Sequence, residues 1–229
     1  MARHCIVKVE KITLTMKKII FVFLAAGLAL AAGCRWVGIR GNGNIKTEER
    51  TISAFTEIDA GGAFVIEWQS GSPALRITTD ENLLSYIESD VSGDTLHLRT
   101  HDQIWPTHDI RVVISSSTRA GARLRGAVKF TAKQLTGPKF ALEASGASRV
   151  SLDGNIDELL ADMTGASELD ASGLQTKTAE ISTTGAGDAE VAVAETLKVA
   201  ITGAGKVTYS GNPTIEKHIT GAGSVHRKD

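Results

Sequence analysis

Two histidine–aspartate pairs, His101-Asp102 and His108-Asp109, bracket Trp105-Pro106 in one short stretch. Imidazole and carboxylate side chains at this density are the raw material of a metal site or an acid–base pair. Further ligands have no obvious source nearby, and a polar surface loop between Arg99 and a strand starting at Ile110 accounts for the same residues. Trp36, Trp68 and Trp105 could stack on sugars, although Trp68 is expected under a short helix and the other two in a tether and a loop. Gly185-Ala186-Gly187-Asp188 places an Asp after Gly-x-Gly, a spacing with which a coiled repeat can ligate calcium. That mechanism needs Asp in successive copies, and Lys206 and Ser224 stand in the matching places. Asp153, Asp170 and Asp188 likewise fail to recur in column, and there is no Gly-x-Ser-x-Gly elbow, phosphate loop or zinc spacing. The sequence therefore assigns no catalytic residue, metal or cofactor. His101, Trp105 and His108 remain as weak binding candidates on a chain expected not to be an enzyme.

What must position any such site is a repeat. Ser145-Gly146-Ala147-Ser148, Thr164-Gly165-Ala166-Ser167, Thr184-Gly185-Ala186-Gly187, Thr202-Gly203-Ala204-Gly205 and Thr220-Gly221-Ala222-Gly223 follow a degraded first copy, Arg125-Gly126-Ala127-Val128. The leading glycines step by 20, 19, 20, 18 and 18 residues. A period this short marks a solenoid. At about 3.3 Å per strand residue it supplies three short faces with tight corners. One such turn cannot bury its own apolar residues, whereas stacked turns line them into columns. Aligned on the glycines, Leu142/Ala144, Ala161/Met163, Ile181, Val199/Ile201 and Ile219 form one column, and Val150, Leu169, Ala189, Val207 and Val225 another. The expected fold is all-β: a single parallel β-helix, right-handed by the usual crossover preference. Gly126, Gly146, Gly165, Gly185, Gly203 and Gly221 form its corners, and the preceding Ser/Thr could form a hydroxyl ladder along the stack or bond back to the corner backbone. One short helix near 80–90, capped by Asp80, carries Leu83, Leu84 and Ile87 at helical spacing. Ile45–Ile58 and the stretches flanking the turn Gln69–Pro73 read as strands. The residues that recur are those a stacked corner needs. A binding site is therefore expected where the repeat breaks, around 99–130 and at the N-terminal end.

The N-terminus reads as a targeting signal. Lys17-Lys18 precede an apolar run from Ile19 to Ala32, too short for a membrane-spanning helix, and Met16 is a natural start for it. Leu30-Ala31-Ala32-Gly33-Cys34 resembles a bacterial lipoprotein signal box. That resemblance implies cleavage before Cys34, lipid (palmitate-type) attachment to it and, with Arg35 following, the outer membrane facing the periplasm; an ordinary cleaved signal is the alternative. Cys5 and Cys34 are the only cysteines, so the exported domain is expected to have no internal disulfide. Removing residues 1–33 leaves a net charge of about −5, which argues against nucleic acid as a partner. The expected organisation is a signal region 1–33, a lipid-anchored Gly-rich tether 34–44 and a β-helix domain 45–229.

Gly41-Asn42-Gly43, Phe55-Thr56-Glu57-Ile58, Gly62-Ala63-Phe64-Val65-Ile66, Glu81–Ile87, the Gly-Ala-Gly repeats and Tyr209–Pro213 together resemble the putative auto-transporter adhesin head GIN domain family. The resemblance spans nearly all of 41–228. It implies a β-helical exported bacterial protein, often a lipoprotein, with no established activity. The reading that follows is a membrane-tethered envelope scaffold, adhesion or ligand-binding module, with an envelope protein or glycan as partner. A carbohydrate-active or polysaccharide-binding β-helix is the alternative, and self-association is left open.

Overall fold

The computed structural model describes residues 38–228. The signal region, Cys34 and Trp36 lie outside the described residues. The described chain is a β-solenoid of about five turns with one short helix, as the repeat predicts.

Four long strands, β11 (Lys129–Gly146), β12 (Arg149–Gly165), β13 (Glu168–Gly185) and β14 (Asp188–Gly203), each run around almost one full turn. Successive turns pair in parallel, and the corner glycines stack in register: Gly126↔Gly146↔Gly165↔Gly185↔Gly203↔Gly221. The expected apolar columns form the core, with Val150, Leu169, Val207, Ile181 and Ile201 fully or almost fully buried, whereas Ile219 and Val225 at the last turn are only partly buried. Each such aliphatic side chain contributes roughly 1.5–3 kcal/mol.

The corner chemistry is backbone to backbone. Ala186 N donates to Gly165 O at 2.8 Å, Ala204 N to Gly185 O at 2.8 Å, and the same bond recurs along the stack. The carbonyl of one corner thus sits directly against the next. A Cβ at Gly185, whose φ is +121°, would lie 2.6 Å from Gly165 O. Left-handed φ and close approach together leave only glycine. Of the two roles open to the preceding Ser/Thr, Ser145 takes the bond to backbone, its Oγ donating weakly to Leu124 O at 3.4 Å, while Thr164, Thr184, Thr202 and Thr220 are exposed.

The N-terminal half departs from simple winding. β1 (Ile39–Arg40) and β2 (Ile45–Arg50) precede β3 (Glu57–Gly62) and β4 (Phe64–Ser70). The chain then continues through β5 (Ala74–Asp80), a 3-10 helix (Glu81–Tyr86), β6 (Ile87–Ser92), β7 (Thr95–Thr100), β8 (Ile104–Trp105), β9 (Ile110–Ser116) and β10 (Gly121–Gly126). The β3–β4 turn lies between two turns made later in the sequence. On one side β3 pairs with β7 and β4 with β9; on the other β3 pairs with β10 and β4 with β11. All four pairings are parallel. Gly62 is therefore an additional corner, stacked on Gly126. Beyond β7 and β9 the winding stops. β6 pairs antiparallel with β7, β5 with β9, and β2 with β5. The Arg50 guanidinium ties these capping pieces together by donating to Leu84 O, Ile87 O and Ser89 Oγ. At the other end, β15 (Lys206–Ser210), β16 (Thr214–Gly221) and β17 (Ser224–Arg227) complete the last turns.

Four expectations are corrected. Ile45–Ile58 is not one strand, because β2 belongs to the antiparallel cap and β3 to the winding. The helix is 3-10, and Asp80 makes no side-chain cap bond to it. Its buried carboxylate instead accepts from Gly43 N at 2.7 Å, Thr107 N at 2.9 Å and Thr107 Oγ1 at 2.8 Å. Those bonds and the β1–β8 pairing (Ile39 N to Gln103 O, 2.9 Å) hold residues 39–44 against the body, so this part of the expected tether is fixed. Finally, Trp68 is fully buried among Phe55, Phe130 and Phe140, with centroids 5.8–6.4 Å away, and donates Nε1–H to Ser116 Oγ. It is a core residue, and its partners come from strands and a loop.

Candidate functional site

The loop 101–109 holds the three binding candidates, each with partners of its own. His101 Nδ1 lies 3.1 Å from Asp102 Oδ2, its Nε2 is 3.2 Å from Ser85 O, and its ring packs on Tyr86 at 5.2 Å. Thr107 Oγ1–H is committed to Asp80, so the 3.0 Å contact between Thr107 Oγ1 and His108 Nδ1 is donated by the imidazole. Asp109 pairs with Lys129 across 3.6 Å. Trp105 is half-buried in β8, in register with Arg40. Among the described residues no group of three or more His, Cys, Asp or Glu could hold a metal ion. The loop is bonded into the cap through His101, Thr107 and the β1–β8 pairing.

Convergence occurs one turn away, at the break in the repeat. Asp59 on β3 points out of the solenoid, yet its side chain is only 5% exposed because three residues cover it. Arg125 Nη2 donates to Asp59 Oδ2 at 2.8 Å, Arg99 Nη2 reaches the same oxygen at 3.4 Å, and His97 Nδ1 lies 3.6 Å away. Register explains the geometry. His97, Asp59 and Arg123 are lateral partners, as are Arg99, Gly61 and Arg125. The two arginines therefore stand on the strands either side of Gly61. With no side chain there, both lean over the gap toward Asp59. A Cβ on Gly61 would meet nothing within 4 Å, so the space above it is open.

The result is a notch floored by Gly61 and Asp59 and walled by Arg99 and Arg125. Each guanidinium is about half exposed and turns only Nη2 to the carboxylate. Two positive charges share one negative charge. Asp59 Oδ1 is enclosed and has no hydrogen-bond partner among the described residues. Beside the notch, Arg123 and Glu143 form a closed two-bond pair at 2.6 and 3.1 Å. Glu143 hydrogen-bonds Arg123 and holds it above its ordinary value, and Arg123 in turn holds the Glu143 carboxyl below its own.

A second irregularity supports the same turn from inside. Arg119 is buried and has no carboxylate; it donates to Trp68 O, Lys133 O and Gln134 O. Burial lowers its pKa. The last two bonds pin a bulge in which Gln134 adopts φ +54°. Above this bulge lies a polar depression of about 470 Å³, lined by Glu67, Gln69, Ser70, Lys133, Gln134 and Asp153.

Sequence reasoning pointed to the region around 99–130 but named neither Asp59 nor the two arginines as a group. The available signal was Gly61-Gly62-Ala63-Phe64, a further copy of the corner. Aligned with Arg125-Gly126-Ala127-Val128, it would have placed Arg125 beside Gly61.

Among curated proteins none matches this sequence. Solved structures do. A putative adhesin from Bacteroides fragilis superposes with a TM-score of 0.71 at 21% identity, covering 83% of this chain and all of that one. A putative lipid binding protein from Parabacteroides distasonis gives 0.55 at 23% identity, with 83% and 99% covered. A putative adhesin from Parabacteroides merdae gives 0.55 at 21%, with 84% and 99% covered. At these identities the likeness concerns the fold. The family profile described as "Putative auto-transporter adhesin, head GIN domain" matches residues 54–213, and the chain belongs to that family.

Proposed function

We propose that this protein is a non-enzymatic, lipid-anchored module of the bacterial cell envelope that binds a surface ligand through the turn where its repeat is interrupted. The observation that carries the reading is the arginine notch. It is the one place where the repeat's Thr/Ser column is replaced by a charged residue, and the geometry there leaves donors facing outward. Elsewhere the same column presents Thr164, Thr184, Thr202 and Thr220, a uniform scaffold surface. Membership of an adhesin family supports an exported binding role. The lipoprotein-like box ending at Cys34 supports a membrane tether, in the outer membrane facing the periplasm.

Fractionation of cells expressing the full chain tests the anchoring half. Wild type should partition with membranes and Cys34→Ser should be released; an unchanged distribution overturns the anchor. A panel of envelope polysaccharides tests the non-enzymatic half, since turnover of any polymer would contradict it.

A further inference from the structure

The notch specifies more than a generic ligand. We propose that it binds a single carboxylate of an acidic polysaccharide, the group carried by a uronic acid residue. This rests on the binding-module reading above and names the chemistry of its site.

Charge is the first reason. Asp59 neutralises one of the two guanidiniums, leaving about one positive charge over the notch. A monoanion completes that balance, whereas a dianion would meet the buried Asp59 carboxylate beneath it. The surroundings set a further limit. Arg123 is closed by Glu143, Glu57 is exposed on the same face, and exposed Glu88 on β6 stands in register beside Arg99. The face is therefore no broad basic patch, and a densely charged polymer would meet carboxylates on both sides of the notch.

Shape is the second reason. Arg99 and Arg125 stand on strands separated by β3, so their backbones are about 10 Å apart, twice the usual strand spacing. Both side chains converge on one oxygen over a residue without a side chain. The gap admits a small planar group, which could accept from the N–H groups not used on Asp59. Carboxylates pair well with such guanidinium forks. Leading away from Arg125, its register partners Ser145, Thr164, Thr184, Thr202 and Thr220 offer one hydroxyl per turn. A chain of sugars lying along the solenoid would have polar partners from the notch onward.

The test uses full-length protein in detergent and hyaluronan, which carries one carboxylate per disaccharide and no sulfate. Binding is measured near physiological salt, so that loose charge attraction is screened. Wild type should bind hyaluronan and lose it when the carboxylates are methyl-esterified. Arg99→Gln and Arg125→Gln should each weaken binding about tenfold or more, as expected for loss of a charge-assisted donor. Gly61→Leu keeps both arginines but fills the notch, and should weaken binding by a similar factor. Its backbone φ is not left-handed, so it serves even if an arginine variant fails to fold. The proposal is overturned by absent binding, by equal binding of the methyl ester, by an unaffected Gly61→Leu, or by tenfold preference for dextran sulfate. Loss of hyaluronan binding with retention of another envelope ligand would remove this assignment and leave the broader binding reading standing.

Discussion

Arg125 on β10 bonds Asp59 on β3 at 2.8 Å across 66 residues of sequence. In every later copy of the repeat, Ser or Thr stands in place of Arg125. The substitution is explained by the neighbouring turn, where a buried carboxylate needs a donor that a hydroxyl could not extend far enough to supply. Restoring the repeat residue with Arg125→Thr should therefore destabilise, by about 1–2 kcal/mol given the half-exposed guanidinium. Adding Asp59→Thr should recover part of that loss, because the stranded carboxylate is removed too. Urea unfolding of the four members of this cycle measures the coupling; additive losses would show the pair to be energetically idle.

Two glycines on neighbouring columns should behave in opposite ways. Gly185→Val forces a β-branched residue into left-handed φ against the Gly165 carbonyl, and should cost about 3 kcal/mol or more. Gly61→Ala introduces a methyl into open space at an ordinary φ and should be neutral or slightly stabilising. Equal urea midpoints for the two variants would contradict the stacked-corner account.

Asp80 makes the cap acid-sensitive. Burial alone would raise its carboxyl, but the hydrogen bonds from Thr107 N–H, Thr107 Oγ1–H and Gly43 N–H outweigh it and hold the group below the ordinary Asp value. A carboxyl depressed in the folded state stabilises above its unfolded value, about 3.9, and that contribution fades as pH falls through the folded value. Asp80→Asn should cost about 1–3 kcal/mol at neutral pH, since an amide turns a donor toward donors. The gap between wild type and variant should narrow below about pH 4. A constant gap down to pH 2 would show that Asp80 does not control the cap.

Arg119 offers a test of buried charge. Its three carbonyl partners require a planar fork, so Arg119→Lys should be nearly as damaging as Arg119→Met, each by about 2–4 kcal/mol. Full rescue by lysine would mean that charge alone holds the Gln134 bulge.

The C-terminal turns were legible because each repeats its neighbour. The spacing of Gly146, Gly165, Gly185 and Gly203 predicts their stacking, and Val150, Leu169 and Val207 predict the column beneath. The N-terminal half was less so, for a physical reason. Its pairings join strands distant in sequence and out of winding order, so no local period records that Gly62 meets Gly126 or that β9 lies between β4 and β5. Asp80 shows the same limit: a residue with the chemistry of a helix cap is claimed by Gly43, well before it, and by a loop that arrives later. The arginine notch was hidden because Arg99, Gly61 and Arg125 come from three separate segments.

The order of the turns also bears on how the chain acquires its shape. The β3–β4 turn is flanked on both sides by strands made later, so it stacks on one side only once residues up to 116 are available and on the other only with residues up to about 130. The C-terminal repeats need only their immediate successors, and their contacts span a single period. Closing short loops before long ones favours assembly that starts in the repeats and reaches the N-terminal turn last. Asp59 would then gain Arg125 and Arg99 in the closing steps, making the notch a mark of completed folding: a chain that exposes it has already built the scaffold behind it.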